Sequence, residues 1–168
     1  MHLAEINVAR TLYALDHPAM AEFIAQLDAV NALADADPGF VWRLKSETGG
    51  ASSYVKVGDD DRLIVNLSVW RSIESLKSYV YRSHGHAAVY RDRRRWFEAP
   101  TEASLAMWWI PEGTIPTVED GLVRLARIRS RGPSAFAFTF KATFPGSHGL
   151  NDPTDGREDP LDIVESNA

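Results

Sequence analysis

Asn66, Ser68 and Trp70 recur at every second position of one alternating run. On a β-strand that spacing puts an amide, a hydroxyl and an indole N–H on a single face. Leu63, Val65, Leu67 and Val69 then form the other face. Polar groups on an apolar sheet must find partners or water, because burying them unpaired is costly. If their face lines a cavity, Asn66, Ser68 and Trp70 become orienting groups for a polar aromatic ligand. If it does not, they are a solvent-facing or internally satisfied set. Asn7, in the first alternating stretch, is a further candidate amide; its structural alternative is a hydrogen-bonded strand-end residue.

A second cluster runs from Tyr79 to Trp96 and includes Tyr81, His84, His86 and the arginines 91 and 93–95. Histidine is the side chain best suited to proton transfer near neutral pH, so His86 is a candidate acid or base, with Tyr81 assisting. The alternative for His86 is a capping or packing role at a helix start. His84 and His86 are two residues apart and would not share a helix face. No HExxH or similar spacing is present, so no metal site is expected. The arginine run could meet phosphate, but the net charge of −5 favours a solvated, ion-paired helix face and no nucleic-acid partner. Arg93 and Arg94 could still hold a carboxylate through paired N–H groups. Trp108 and Trp109 are consecutive on a strand, so one indole is core and the other is pocket wall or interface; Trp108 is the one taken as a substrate contact.

Hydrophobic periodicity supplies the elements that must position these residues. His2 to Val8 alternates as a strand. Pro18 opens a helix whose apolar stripe is Met20, Phe23, Ile24, Leu27, Val30 and Leu33, stopped by Asp37-Pro38-Gly39. Phe40 to Leu44 and Arg62 to Trp70 are strands, joined by a Gly/Ser/Asp-rich connection with a short strand at Tyr54 to Val57. Ser72 caps a second helix through Ile73, Leu76 and Val80, and a break at Ser83-His84-Gly85 separates it from a helical piece at His86 to Phe97. Ser104 to Ile110 is the fourth strand. Thr117 and Asp120 frame a third helix closed by Gly132-Pro133. Ala135 to Phe144 alternates as a final strand.

The order βαββαβ, followed by an extra helix and strand, predicts an α+β ferredoxin-like fold. Both of the first two helices fall on one sheet face. The other face then needs a cover, and a second copy of the chain is the simplest one. Residues 1–145 form the domain, and 146–168, rich in Gly, Asp, Pro and Glu, a flexible acidic tail. The 168 residues contain no cysteine and 45% apolar residues. No stretch has the length to span a bilayer, and the start lacks a signal peptide's pattern, so a soluble cytoplasmic protein is expected.

Four segments carry a family resemblance: Asn31 to Ala34 with Pro38 to Leu44; Ser68-Val69-Trp70; Tyr79 to Ser83 through Arg93 to Glu98; and Trp108 to Pro111 with Pro116-Thr117 and Gly132-Pro133. Over residues 1 to about 145 the chain resembles the DUF3291 family of dimeric α/β-barrel proteins. The resemblance implies that fold and a homodimer. More distantly, Asn66-x-x-x-Trp70 before a His-bearing helix is similar to antibiotic-biosynthesis monooxygenases, which oxidise aromatic polyketides without metal or flavin. This implies hydrogen-bonding roles for Asn66 and Trp70, proton transfer by His86 or Tyr81, and no cofactor. Gly113-Thr114 stands where the family has Gly-His. Haem-using relatives make His84 or His86 as axial ligand a secondary alternative. Two function classes follow: an enzyme acting on a small aromatic or quinone-like substrate, or a dimer that binds a small molecule or haem without turnover.

Overall fold

The computed structural model describes residues 1–46, 51–52, 58–82 and 92–146. Four strands, β1 (His2–Arg10), β2 (Phe40–Arg43), β3 (Leu63–Trp70) and β4 (Leu105–Ile110), form one antiparallel sheet in the order β2-β3-β1-β4. Among the described residues three α-helices accompany them: α1 (Ala21–Asp35), α2 (Ile73–Arg82) and α3 (Val118–Arg131). The chain order β1-α1-β2-β3-α2-β4, with the first and third strands central, is the ferredoxin-like arrangement.

Local chemistry sets the ends of these elements. Pro18 starts a 3-10 turn (Pro18–Met20) that leads into α1, and His17 Nδ1 accepts the Ala19 N–H. Ser72 Oγ accepts the Ser75 N–H at 3.1 Å at the start of α2. Gly39, after α1, lets the chain pass against α2: a Cβ there would lie 2.3 Å from the Ser75 side chain. Thr117 and Asp120 form a complete capping box on α3, and Gly132, at φ 81°, ends it in a conformation that favours glycine.

The two sheet faces carry separate cores. On one, α3 places Leu125 and Ile128 against Ala4, Ile6, Val65, Leu67, Val69, Ala106 and Trp108, all at most 7% exposed. Gly121 makes that approach close, since a Cβ would come within 2.5 Å of Ile6. This is the face for which a second copy was the expected cover. The chain's own third helix covers it, so burial of these residues does not require a partner.

On the opposite face there are two apolar clusters. Leu3, Trp70, Ile73, Leu76, Met107 and Phe138 pack with Ala34 at one end. Met20, Phe23, Ile64 and Trp96 pack at the other. Of the stripe expected on α1, Met20 and Phe23 are buried, but Leu33 is 46% exposed and Ala34 takes the inward place. In a regular helix Ala34 lies on the same side as Phe23, so the small Ala34 meets the cluster and Leu33 turns outward.

The final strand expected at Ala135 to Phe144 does not form. Phe136 and Ala137 belong to the α3-side core, whereas Phe138, Phe140 and Phe144 belong to the α2-side core. The segment crosses the edge of β4 from one face to the other. It pairs with β4 at a single residue, where Met107 and Phe138 exchange backbone hydrogen bonds of 2.8 and 2.9 Å. Alternation of phenylalanines here marks a crossing between two cores. The expected strand at Tyr54 to Val57, the break at Ser83 to Gly85, the first part of the His86 to Phe97 helix and most of the tail lie outside the described residues. Within that helix's described part, Arg93–Arg95 is a 3-10 turn.

Candidate functional site

The sheet register arranges the α2-side face in three rows. Phe40, Trp70, Leu3 and Trp109 lie side by side across the four strands. The next row is Arg43, Ser68, Glu5 and Met107. The third is Asn66, Asn7 and Leu105. The first row is wholly apolar and aromatic; the second and third hold the polar groups. The Ile64 cluster lies one row further on, beside Ala9. Polar residues therefore occupy a band between two apolar clusters of the same face.

Hydrogen bonds join that band. Ser52 Oγ donates to Asn66 Oδ1 at 2.7 Å, and Asn66 Nδ2 donates to Asn7 Oδ1 at 3.3 Å. Asn7 Nδ2 donates to Glu5 Oε1 at 2.9 Å. From the other side, Trp70 Nε1 donates to Ser68 Oγ at 2.9 Å, and Ser68 Oγ donates to Glu5 Oε2 at 3.1 Å. Glu5 is 4% exposed, whereas Asn66 is exposed at the far end. The network thus leads from solvent at Asn66 to a buried carboxyl.

Burial pushes the Glu5 carboxyl up to about 7, and the Asn7 and Ser68 hydrogen bonds only partly oppose this. No cation pairs with Glu5 among the described residues. Arg43 stands in the same row, two strands away, but its Nε and Nη2 bind Asp35 at 2.9 and 3.1 Å. This holds the Asp35 carboxyl below its usual value, with burial opposing. Arg43 Nη1 is buried and has no hydrogen-bond partner. Above the band, Tyr79 of α2 stacks on Trp70 with ring centres 5.0 Å apart, and its hydroxyl donates to the Val30 carbonyl at 3.1 Å. Burial first, and the charge of Glu5 second, push the Tyr79 phenol up to about 12.

The structure brings together four of the residues expected from sequence: Asn7, Asn66, Ser68 and Trp70. Trp70 is buried in packed core and its only donor is spent on Ser68, so it serves as wall and strut. Tyr81 is 69% exposed on the outer side of α2, where its ring meets Phe140. With Glu74, Lys77 and Ser78 it lines a separate depression of about 460 Å³. Trp108 faces α3, on the other side of the sheet, under the Arg124 guanidinium at 4.8 Å. Arg93 lies in the turn before Trp96, at the Ile64 end. His84 and His86 lie outside the described residues. No three His, Cys, Asp or Glu side chains gather as a metal site among the described residues.

Sequence reasoning missed Glu5 and Ser52. The available signal for Glu5 was its parity: a carboxylate between Leu3 and Asn7, within a strand that is apolar on its other face.

The family described as Domain of unknown function (DUF3291) matches residues 2–153, and the chain belongs to that family. Among solved structures it is similar to SnoaB, a cofactor-independent oxygenase from Streptomyces nogalater, at 17% identity and a TM-score of 0.46, over 69% of this chain and 98% of that one. It is also similar to Rv0793 from Mycobacterium tuberculosis, at 17% identity and 0.45, over 68% and 100%. A putative antibiotic biosynthesis monooxygenase from Chloroflexus aurantiacus is similar at 19% identity and 0.41, over 69% and 98%. No curated protein matches. No helix among the described residues is long and apolar enough to cross a membrane.

Proposed function

We propose that this chain is a monooxygenase-like enzyme that works without a cofactor on a small aromatic or quinone-like substrate. The observation that carries this reading is the polar band on the α2-side face, with aromatic residues at one end and the exposed Asn66 at the other. Asn66 and Asn7 orient the polar edge of the substrate. Trp70, held by Ser68 and stacked by Tyr79, gives a rigid aromatic wall. His86 is the expected helper in proton transfer; Tyr81, exposed on the outer side of α2, lies away from the band. In such a reaction an activated ring-flanked CH2 becomes a carbonyl, one oxygen atom of O2 enters the product and the other leaves as water. The substrate supplies the electrons. A homodimer, as the family resemblance implies, is part of the proposal and is read by sedimentation velocity.

Oxygen uptake with anthrone as probe, in buffer containing a chelator, tests the reading. Uptake above the protein-free rate, with anthraquinone as product, is expected. An Asn66→Ala variant should lose about tenfold or more of the rate, the scale expected when one orienting hydrogen bond to a transition state is removed. No uptake above the blank by the wild type overturns the oxygenase reading. Haemin titration with a shifted Soret band would favour the non-catalytic haem-binding alternative instead.

A further inference from the structure

Glu5 has features that a purely structural glutamate does not need. It sits in the middle of the sheet, flanked by Ser68 on β3 and Met107 on β4, and is almost wholly buried. A carboxylate has about four acceptor positions. Two are filled, one on each oxygen, by Asn7 and Ser68. A glutamine or a methionine at this place would satisfy the fold without placing a charge in a low-dielectric layer.

The groups that face Glu5 leave its proton free to move. Across the sheet, the charged residue of its row is Arg43, already bound to Asp35 of α1. From α2 the facing titratable group is Tyr79, which stays neutral through the physiological range. Asn7, Ser68 and Met107 do not titrate in that range. Among the described residues of this band, Glu5 is thus the one that can change protonation near neutral pH, and hydrogen bonds through Asn7 and Asn66 link it to the exposed end of the network.

We propose that Glu5 is the proton acceptor of this site, taking the acidic proton of a weakly acidic aromatic substrate, a phenol or an enolisable carbonyl compound. The C–H or O–H bond of the substrate breaks, its electron pair stays on the substrate as enolate or phenolate, and the proton ends on a Glu5 oxygen. Ser68 and Asn7 are positioning residues, which hold the carboxyl by one hydrogen bond on each oxygen. The inference takes its substrate class from the proposed function; the proton transfer itself needs no oxygen.

Two readouts separate the two claims. In the first, anthrone-dependent oxygen uptake is followed against pH for the wild type and Glu5→Gln. The wild-type rate should rise as pH passes about 7. The variant should be about a hundredfold slower or more, with that rise gone, as for removal of a general base. In the second, para-nitrophenol is added at about pH 7, where Glu5 is partly ionised and able to accept a proton, and its yellow phenolate band is compared with that of the free phenol. The wild type should bind it as phenolate, and Glu5→Gln should not. Glu5→Asp, which keeps the acid on a shorter stem, should recover part of both signals. Phenolate formation without oxygen uptake would uphold Glu5 and remove the oxygenase reading. Undiminished uptake in Glu5→Gln, or equal phenolate bands in the wild type and that variant, would overturn the role of Glu5. So would failure of the wild type to bind the phenol as phenolate.

Discussion

On the α3 side of the sheet, the inward residues of β1, β3 and β4 from Ala4 to Trp108 are apolar, and one well-capped helix seals them. On the α2 side the same strands present Glu5, Asn7, Asn66 and Ser68 among aromatic residues. Both faces belong to one sheet of one backbone geometry, so strand formation does not explain the polar band. A domain of this size is stabilised by burial, and the α3 face supplies burial without polar atoms. The α2 face gives up some of that stabilisation to hold an ionisable group in a fixed place, which is the usual sign of a site.

The contrast can be broken most forcefully at the sealed face. Leu125→Ala should cost about 2–5 kcal/mol, the range for a large-to-small change in a packed core, as measured by urea unfolding. Oxygen uptake and phenol binding by the folded fraction should persist. Next in size is Glu5→Gln, with the opposite sign. The folded carboxyl lies at about 7, above its ordinary 4.5. A raised acid contributes stability below 4.5 that falls away as pH rises, and the loss is complete above about 7. Removing it should therefore stabilise the protein by up to about 3 kcal/mol in alkaline buffer, from the one-unit equivalence of about 1.4 kcal/mol. Unfolding midpoints of the two proteins should converge in acid and separate above neutrality. The smallest effect is Thr117→Ala, which opens the capping box of α3 and should cost about 1 kcal/mol without altering the pH dependence. A Thr117→Ala protein with altered phenol binding would show that the two faces are coupled.

Much of this was legible in the chain. Strict alternation through Leu63 to Trp70 fixes which residues of β3 share a face, and Thr117 with Asp120 marks the start of α3 because the cap is a local contact. Asn66, Ser68 and Trp70 were found for the same reason. Glu5 was not, because its meaning depends on two strands more than sixty residues away: only pairing with both β3 and β4 puts it in the interior. Trp108 and Trp109 show the limit of parity alone. Alternation says they diverge, and only the packing of α3 says that Trp108 is the one turned away from the polar band. Phe136, Phe138 and Phe140 alternate as a strand would, yet two-sided packing of a crossing segment gives the same spacing.

That crossing segment has a consequence for how the sheet meets its surroundings. β4 is an edge strand, and an edge offers unpaired N–H and C=O groups to any other extended chain. At Met107 both groups are already taken by Phe138; further along, the indole N–H of Trp109 donates to the Phe144 carbonyl at 2.7 Å, and Gly146 lies against that ring. The opposite edge, β2, is only four residues long and bears a bulge between Phe40 and Trp42. Both margins are thereby made poor templates for strand addition, which protects a sheet rich in Val, Ile, Leu and Trp from growing into a fibre.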